Sequence, residues 1–196
     1  MKNYFKNLKE KMSRWAVSHV ESGKADFWLG AVSFSEASFF LVPPDLLLIA
    51  ILSTSTQRWF YYASFTTIFS VLGGFLGYLI GAVFFDVVGK TIIDFYDLQS
   101  QVDFIGQKFS ENAFLAIFVS AFTPIPYKLF TISAGFFKIN FIIFGLASLF
   151  GRGMRFFLVA FFMHKFGKKM TDFFFKYFDI LSVVLVLVII AIFYLF

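Results

Sequence analysis

From Trp59 to Phe85 the chain runs for 27 residues without a charged side chain. At 1.5 Å per residue such a run makes a helix of about 40 Å, longer than the hydrocarbon core of a bilayer is thick. A soluble fold of 196 residues would have to cover that helix on every side. The rest of the chain is poorly equipped to do so. Hydrophobic residues make up 59% against roughly 45–50% in soluble proteins, and charged residues 15% against roughly 25%. Phe alone occurs 34 times. The expectation is an all-α integral membrane protein, with lipid as the solvent for much of its apolar surface.

The apolar stretches on either side of this span are interrupted. Phe27–Val42 is broken by Glu36 and ends at Pro43-Pro44-Asp45, after which only Leu46–Leu52 remains apolar. A simple span needs about 20 uninterrupted apolar residues. Consecutive prolines remove backbone donors and disfavour helix at the residue before them. A break at membrane depth is tolerated only where protein or a water-filled cavity covers it. These features predict a re-entrant hairpin over 27–55, with its turn at Pro43-Pro44. The design returns in the second half. Ala113–Phe137 contains Thr123-Pro124-Ile125-Pro126-Tyr127-Lys128, with Pro124 81 residues after Pro43 and Pro126 82 after Pro44. A second re-entrant hairpin is expected over 113–137. Each hairpin is followed by a transmembrane helix, at 59–85 and 139–163. The single crossing between the hairpins makes them enter from opposite faces, an inverted repeat of the kind many secondary transporters use to build a site near mid-membrane.

The membrane domain so defined covers 27–165, and polar segments flank it. In residues 1–26, Phe5, Leu8, Met12 and Trp15 share one helical face among six basic residues, which predicts a basic amphipathic helix on an anionic leaflet or packed on the protein. Phe95, Leu98, Val102, Ile105 and Phe109 repeat the pattern and predict an outer amphipathic helix over 90–110. Residues 166–196 read as a basic loop and a hydrophobic helix, Ile180–Phe196. The first long apolar stretch carries Glu36 and no small-residue cleavage pattern follows it, so no cleaved signal peptide is expected. With the N-terminus cytoplasmic, inside segments carry eleven basic residues and outside segments three (Lys90, Lys108, Lys138). The positive-inside rule favours that orientation, and it explains the net charge of +5 without nucleic-acid binding.

Five ionisable residues sit inside apolar stretches: Glu36, Asp45, Lys128, Arg152 and Arg155. At mid-membrane each costs roughly 2.5–3.5 kcal/mol, so five facing lipid would cost on the order of 12–17 kcal/mol, as much as a whole domain's stability. They must point inward, pair, or line water. Arg152 and Arg155 lie one helical turn apart, and Gly151 and Gly153 open space beside the first. The guanidinium fork suits phosphate oxygens. Arg152, Arg155 and Lys128 are therefore candidates for a phosphate site; alternatively the arginines clamp the hairpins by pairing with Glu36 or Asp45, and Lys128 snorkels. Burial disfavours the charged form of a carboxyl group, which lets it exchange protons near neutral pH. Glu36 and Asp45 are candidates for proton coupling, with a cap on the second arm as the alternative for Asp45. Gly73, Gly77 and Gly81 form a stripe that lets another helix approach, with direct ligand contact as the alternative.

Other chemistry has little to stand on. The chain has no Cys, and its two His, His19 and His164, are far apart, so no metal site is expected. No P-loop, GxSxG, HExxH or dinucleotide fingerprint occurs, so neither a catalytic residue nor a cofactor is expected.

The segments FSEASFFLVPPDLLL at 34–48, GGFLGYLIG at 73–81 and FTPIPYKLFTISAGFFKINFIIFGLASLFGRGMRFF at 122–157 resemble the DedA (VTT, or SNARE-associated) family of membrane proteins, particularly its YqaA-like branch. The resemblance extends over roughly residues 30–165. It implies translocation or scrambling of phospholipids or polyprenyl-phosphate carriers in a bacterial inner membrane, with proton coupling. It also implies that Glu36 and Asp45 match the family's acidic pair, and that Arg152 is similar to an arginine on the helix after the second hairpin. Many relatives carry paired arginines around the second proline turn, where this chain has Thr123 and Lys128. The expected function is thus a lipid translocase whose partners are membrane lipids, with an anionic phosphate-bearing lipid as substrate. The sequence is compatible with a homo-oligomer and does not set the number of copies. The same charges would also serve a small-ion or proton antiporter, a drug exporter, or a non-transporting scaffold.

Overall fold

A computed structural model describes residues 25–39, 43–54, 56–123 and 125–167. The expected amphipathic helix at 1–24, the helix Ile180–Phe196 and Pro124 lie outside the described residues. Every regular element among the described residues is helical. α1 (Ala25–Ser38) and α2 (Pro44–Thr54) flank the first break. A 3-10 turn, Thr56–Arg58, leads into α3 (Trp59–Phe84), and a π-helical turn, Phe85–Gly89, joins α3 to α4 (Lys90–Phe95). Then come α5 (Gln99–Glu111), α6 (Ala113–Phe122), α7 (Tyr127–Phe136) and α8 (Phe141–Phe166).

Local chemistry explains several of these ends. Pro44 opens α2 at the position where a missing N–H costs nothing. α7 starts directly after Pro126. The Asn140 side chain accepts hydrogen bonds from the amides of Ile142 (2.9 Å) and Ile143 (3.2 Å) and caps α8. Gly167, at φ 51°, ends it in a backbone conformation that favours glycine.

The helix that contains the span expected over 59–85 does not stop at Phe85. Helix continues without interruption from Thr56 to Phe95, 40 residues, or about 60 Å. A single exposed carboxylate does not stop a helix when it is solvated and paired. Asp86 accepts from Lys90 at 3.1 Å and from Lys138 at 3.0 Å, both cations lying over the Phe85 ring. The amphipathic segment expected as one helix over 90–110 is consequently divided. Its first part, α4, extends the long helix; its second, α5, follows a turn in which Asp97 adopts φ 53°. Asp is among the few residues that accept this conformation readily.

Side-chain neighbours fix the directions of the helices. Gly30 lies against Phe65 and Phe69, and Gly73 against Phe34, so α1 runs parallel to α3. The chain therefore reverses twice between them, and α2 runs back the other way, its path following α8 from Arg155 (beside Asp45) to His164 (beside Thr56). Thr67 sits beside Gly153 and Phe75 beside Gly145, which sets α3 antiparallel to α8. In the second half, Ala121 against Gly151 and Thr123 against Arg155 make α6 parallel to α8. Tyr127 beside Gly74 and Phe136 beside Gly89 make α7 parallel to α3. Each half thus contributes a first arm parallel to its own long helix and a return arm parallel to the other half's.

Close backbone approach holds this arrangement together. A Cβ at Gly73 would collide with the Phe34 carbonyl, at Gly77 with the Thr131 hydroxyl, and at Gly81 with the Ile132 carbonyl. The glycine stripe serves packing, against α1 at one end and α7 at the other. The opposite faces of the two long helices are apolar and uncovered: Ile68, Leu72 and Leu79 on α3, and Leu146, Phe150 and Met154 on α8, are exposed. Both helices are long and apolar enough to cross a membrane.

Candidate functional site

The site is assembled where the first break meets the middle of α8. Glu36 lies in the last turn of α1, Asp45 in the first turn of α2, and Arg152 and Arg155 one turn apart on α8. Arg152 Nη2 donates to Glu36 Oε2. Arg155 grips Asp45 with two hydrogen bonds, Nη2 to Oδ2 at 2.6 Å and Nε to Oδ1 at 3.2 Å. Its remaining nitrogen, Nη1, donates at 2.6 Å to the carbonyl of Thr123, the last described residue before the second break. One arginine therefore ties the end of α6 to the start of α2.

Burial sets the energetics of these pairs. Arg152 is 1% exposed, and its guanidinium carbon lies 4.4 Å from the centre of the Tyr127 ring and 5.5 Å from that of Phe156. The electron-rich ring faces supplement Glu36 as counter-charge. The Glu36 side chain is 19% exposed, so this pair is open to solvent only from the carboxylate side. Asp45 is buried, and its position in the first turn of α2 also places its charge at the positive end of that helix. A buried pair adds little net stability when intact, but removing one partner costs about 3–5 kcal/mol. The arrangement resists loss of a charge far more than it rewards the charge being there.

Four of the five charges read within the apolar stretches of the sequence are thus brought together in pairs. Lys128 is half-buried on the first turn of α7, next in the chain to the Tyr127 that underlies Arg152. Asp45 is the second residue of α2, not a cap preceding it, and both its oxygens are on Arg155. Of the turn prolines, Pro44 begins α2 and Pro126 immediately precedes α7, while Pro43 lies in the break itself. The glycines beside Arg152 do not make room for its guanidinium. A Cβ at Gly151 would come within 2.6 Å of Ala121 Cβ and 2.8 Å of the Phe118 carbonyl, so this glycine lets α6 approach; Gly153 makes only ordinary contact with Thr67.

Tyr127, Phe156 and the Thr123 carbonyl belong to the site and were not read from the sequence. Phe156 follows Arg152 by one turn, and Tyr127 and Thr123 flank the second break, but aromatic residues are too frequent in this chain for those positions to stand out. Beside the site, an apolar groove of about 430 Å³ opens between Thr67 of α3, Phe118 of α6 and Leu149, Gly153 and Phe157 of α8.

Comparison with known proteins agrees with this architecture. The VTT domain matches residues 42–165, which include both return arms, both long helices, Asp45 and the two arginines. An uncharacterised protein of Haemophilus influenzae is 38% identical over 136 residues, covering 69% of this chain and 70% of its own. A protein of Histophilus somni named as an uncharacterised HI0703 homologue is 32% identical over 165 residues, 84% of each chain. No solved structure matches the chain. With the apolar long helices already described, the match assigns the chain to the VTT-domain, or DedA, family of membrane proteins.

Proposed function

We propose that this protein is a lipid translocase of the bacterial inner membrane, N-terminus cytoplasmic, that moves phospholipids or polyprenyl-phosphate lipids across the bilayer. The observation that carries the reading is the pair of buried arginine–carboxylate contacts, Arg152–Glu36 and Arg155–Asp45, gathered on one helix at two chain breaks. Under this proposal α1–α2 and α6–α7 are re-entrant hairpins dipping from opposite faces, which their opposed directions support. Ionisable side chains inside apolar helices are costly to place there and are read as functional by default. Protonation of Glu36 or Asp45 releases an arginine fork, which then holds the oxygens of a lipid phosphate, with Lys128 as a further cation. Deprotonation returns the fork to its carboxylate and expels the phosphate. The apolar groove beside Gly153 gives an acyl chain a path next to the charges.

A headgroup-resolved translocation assay in proteoliposomes tests this. The wild-type protein moves the lipid with a rate that depends on pH. Arg152→Ala abolishes movement while the protein stays inserted, and Glu36→Gln removes the pH dependence. Normal movement by Arg152→Ala would end the phosphate role, and an unaltered pH profile in Glu36→Gln would end the coupling role.

One observation favours a scaffold instead: Arg152 is enclosed by Tyr127, Phe156 and Glu36 as a permanent clamp would be. A scaffold keeps its function when Glu36 and Arg152 are both made neutral, provided the fold survives; a translocase loses it.

A further inference from the structure

Ser70 Oγ, Tyr127 Oη, Ser148 Oγ and Arg152 Nε are buried and find no hydrogen-bond partner among the described residues. They lie together. Ser148 and Arg152 are one turn apart on α8. The Tyr127 ring lies under the Arg152 guanidinium. The antiparallel register of α3 and α8, set by Thr67 beside Gly153 and Phe75 beside Gly145, brings Ser70 level with 148–152. Gly74, one turn beyond Ser70, is so near that a Cβ there would stand 2.6 Å from the Tyr127 hydroxyl. Ser70 and Ser148 are fully buried, and Tyr127 and Arg152 are 1% exposed. Buried hydroxyls elsewhere behave differently: those of Ser33, Thr66, Thr67 and Ser120 return to carbonyls of their own helices. Ser70 and Ser148 do not take that option.

We propose that the junction of α3, α7 and α8 is a binding site for ordered water that hydrates Arg152 Nε from the side away from Glu36. Water fits the donor set. Nε can only donate, whereas the three hydroxyls both donate and accept, and a buried water takes two to four such partners. The adjacent guanidinium repels a metal cation. The water gives Arg152 a second partner, so its guanidinium stays solvated when the contact with Glu36 opens. The water site stands whether or not the protein moves lipid.

Two measurements on the full chain test it. The protein has four arginines, so in ¹⁵N-arginine-labelled protein in detergent micelles the Arg152 Nε–H resonance is assignable by its loss in Arg152→Lys. A cross-peak from that proton to long-lived water is expected; its absence from a folded sample overturns the proposal. Thermal unfolding gives an independent sign. If water satisfies the cluster, Ser70→Ala, Ser148→Ala and Tyr127→Phe each lower Tm by about 2–4 °C, because each deletes a hydrogen bond. In a dry cluster each removes an unsatisfied polar group, and an unchanged or higher Tm overturns the proposal.

Discussion

Arg152 and Glu36 are 116 positions apart in the chain and share a hydrogen bond at the heart of the molecule, joining the long helix of the second half to the first arm of the first half. The consequence is measurable. Arg152→Ala leaves a carboxylate without its counter-charge, at a cost of about 3–5 kcal/mol. Thermal unfolding in detergent should show that loss. The double variant Glu36→Gln/Arg152→Gln should recover most of it, because no lone charge remains. A double variant no more stable than Arg152→Ala would show that the two residues are not coupled.

Arg155 supports a second prediction, because its three bonds use the geometry of the fork. Two reach Asp45 and one reaches the Thr123 carbonyl. Lysine keeps the charge but is a point donor that cannot serve both sites at once. Arg155→Lys should therefore cost about 1–3 kcal/mol, read as a lowered unfolding temperature. Wild-type stability in this variant would show that only the charge of Arg155 matters.

Glycine substitutions should separate packing positions from permissive ones. A Cβ at Gly81 would overlap the Ile132 carbonyl, and backbone cannot swing aside as a side chain can. Gly81→Ala should push α7 off α3 and yield little monodisperse protein by size-exclusion chromatography. At Gly145 the added methyl would meet the Phe75 ring at 3.5 Å, an ordinary contact. Gly145→Ala should be tolerated, with a gain of about 0.5–1 kcal/mol from helix propensity.

The chain has no cysteine, so single introduced cysteines report topology without background. Gln57 and Gln107 are exposed; Gln57 lies in the first turn of the Thr56–Phe95 helix and Gln107 on α5, which follows its other end. Gln57→Cys and Gln107→Cys should react with a membrane-impermeant maleimide from opposite sides of the bilayer, Gln57→Cys from the cytoplasmic one. Labelling of both from the same side would remove the basis for hairpins that enter from opposed faces.

Much of the architecture was legible in the residues. The charge-free run from Trp59, the two proline breaks about 81 residues apart, the glycine stripe and the stranded charges all report local free energies of transfer into a bilayer. Such quantities depend on the identity of a short segment and little on what lies elsewhere. Where local chemistry is ambiguous, the structure departs from the expectation. Asp86 bounds the charge-free run and is a paired, solvated position within a continuing helix; Gly151, expected to open space for Arg152, is a contact surface for α6.

By itself the sequence determined that the chain belongs in lipid, that its apolar stretches break at Pro43-Pro44 and near Pro126, and which charges must be shielded. Only the tertiary structure decided which arginine meets which carboxylate, that Tyr127 lies beneath Arg152, and that Ser70 and Ser148 converge on it. The reason is physical. A charge at membrane depth needs a partner whatever the fold, but two acids and two arginines can be matched in more than one way. The match is set by helix directions and by backbone contacts at glycine, between residues more than a hundred positions apart.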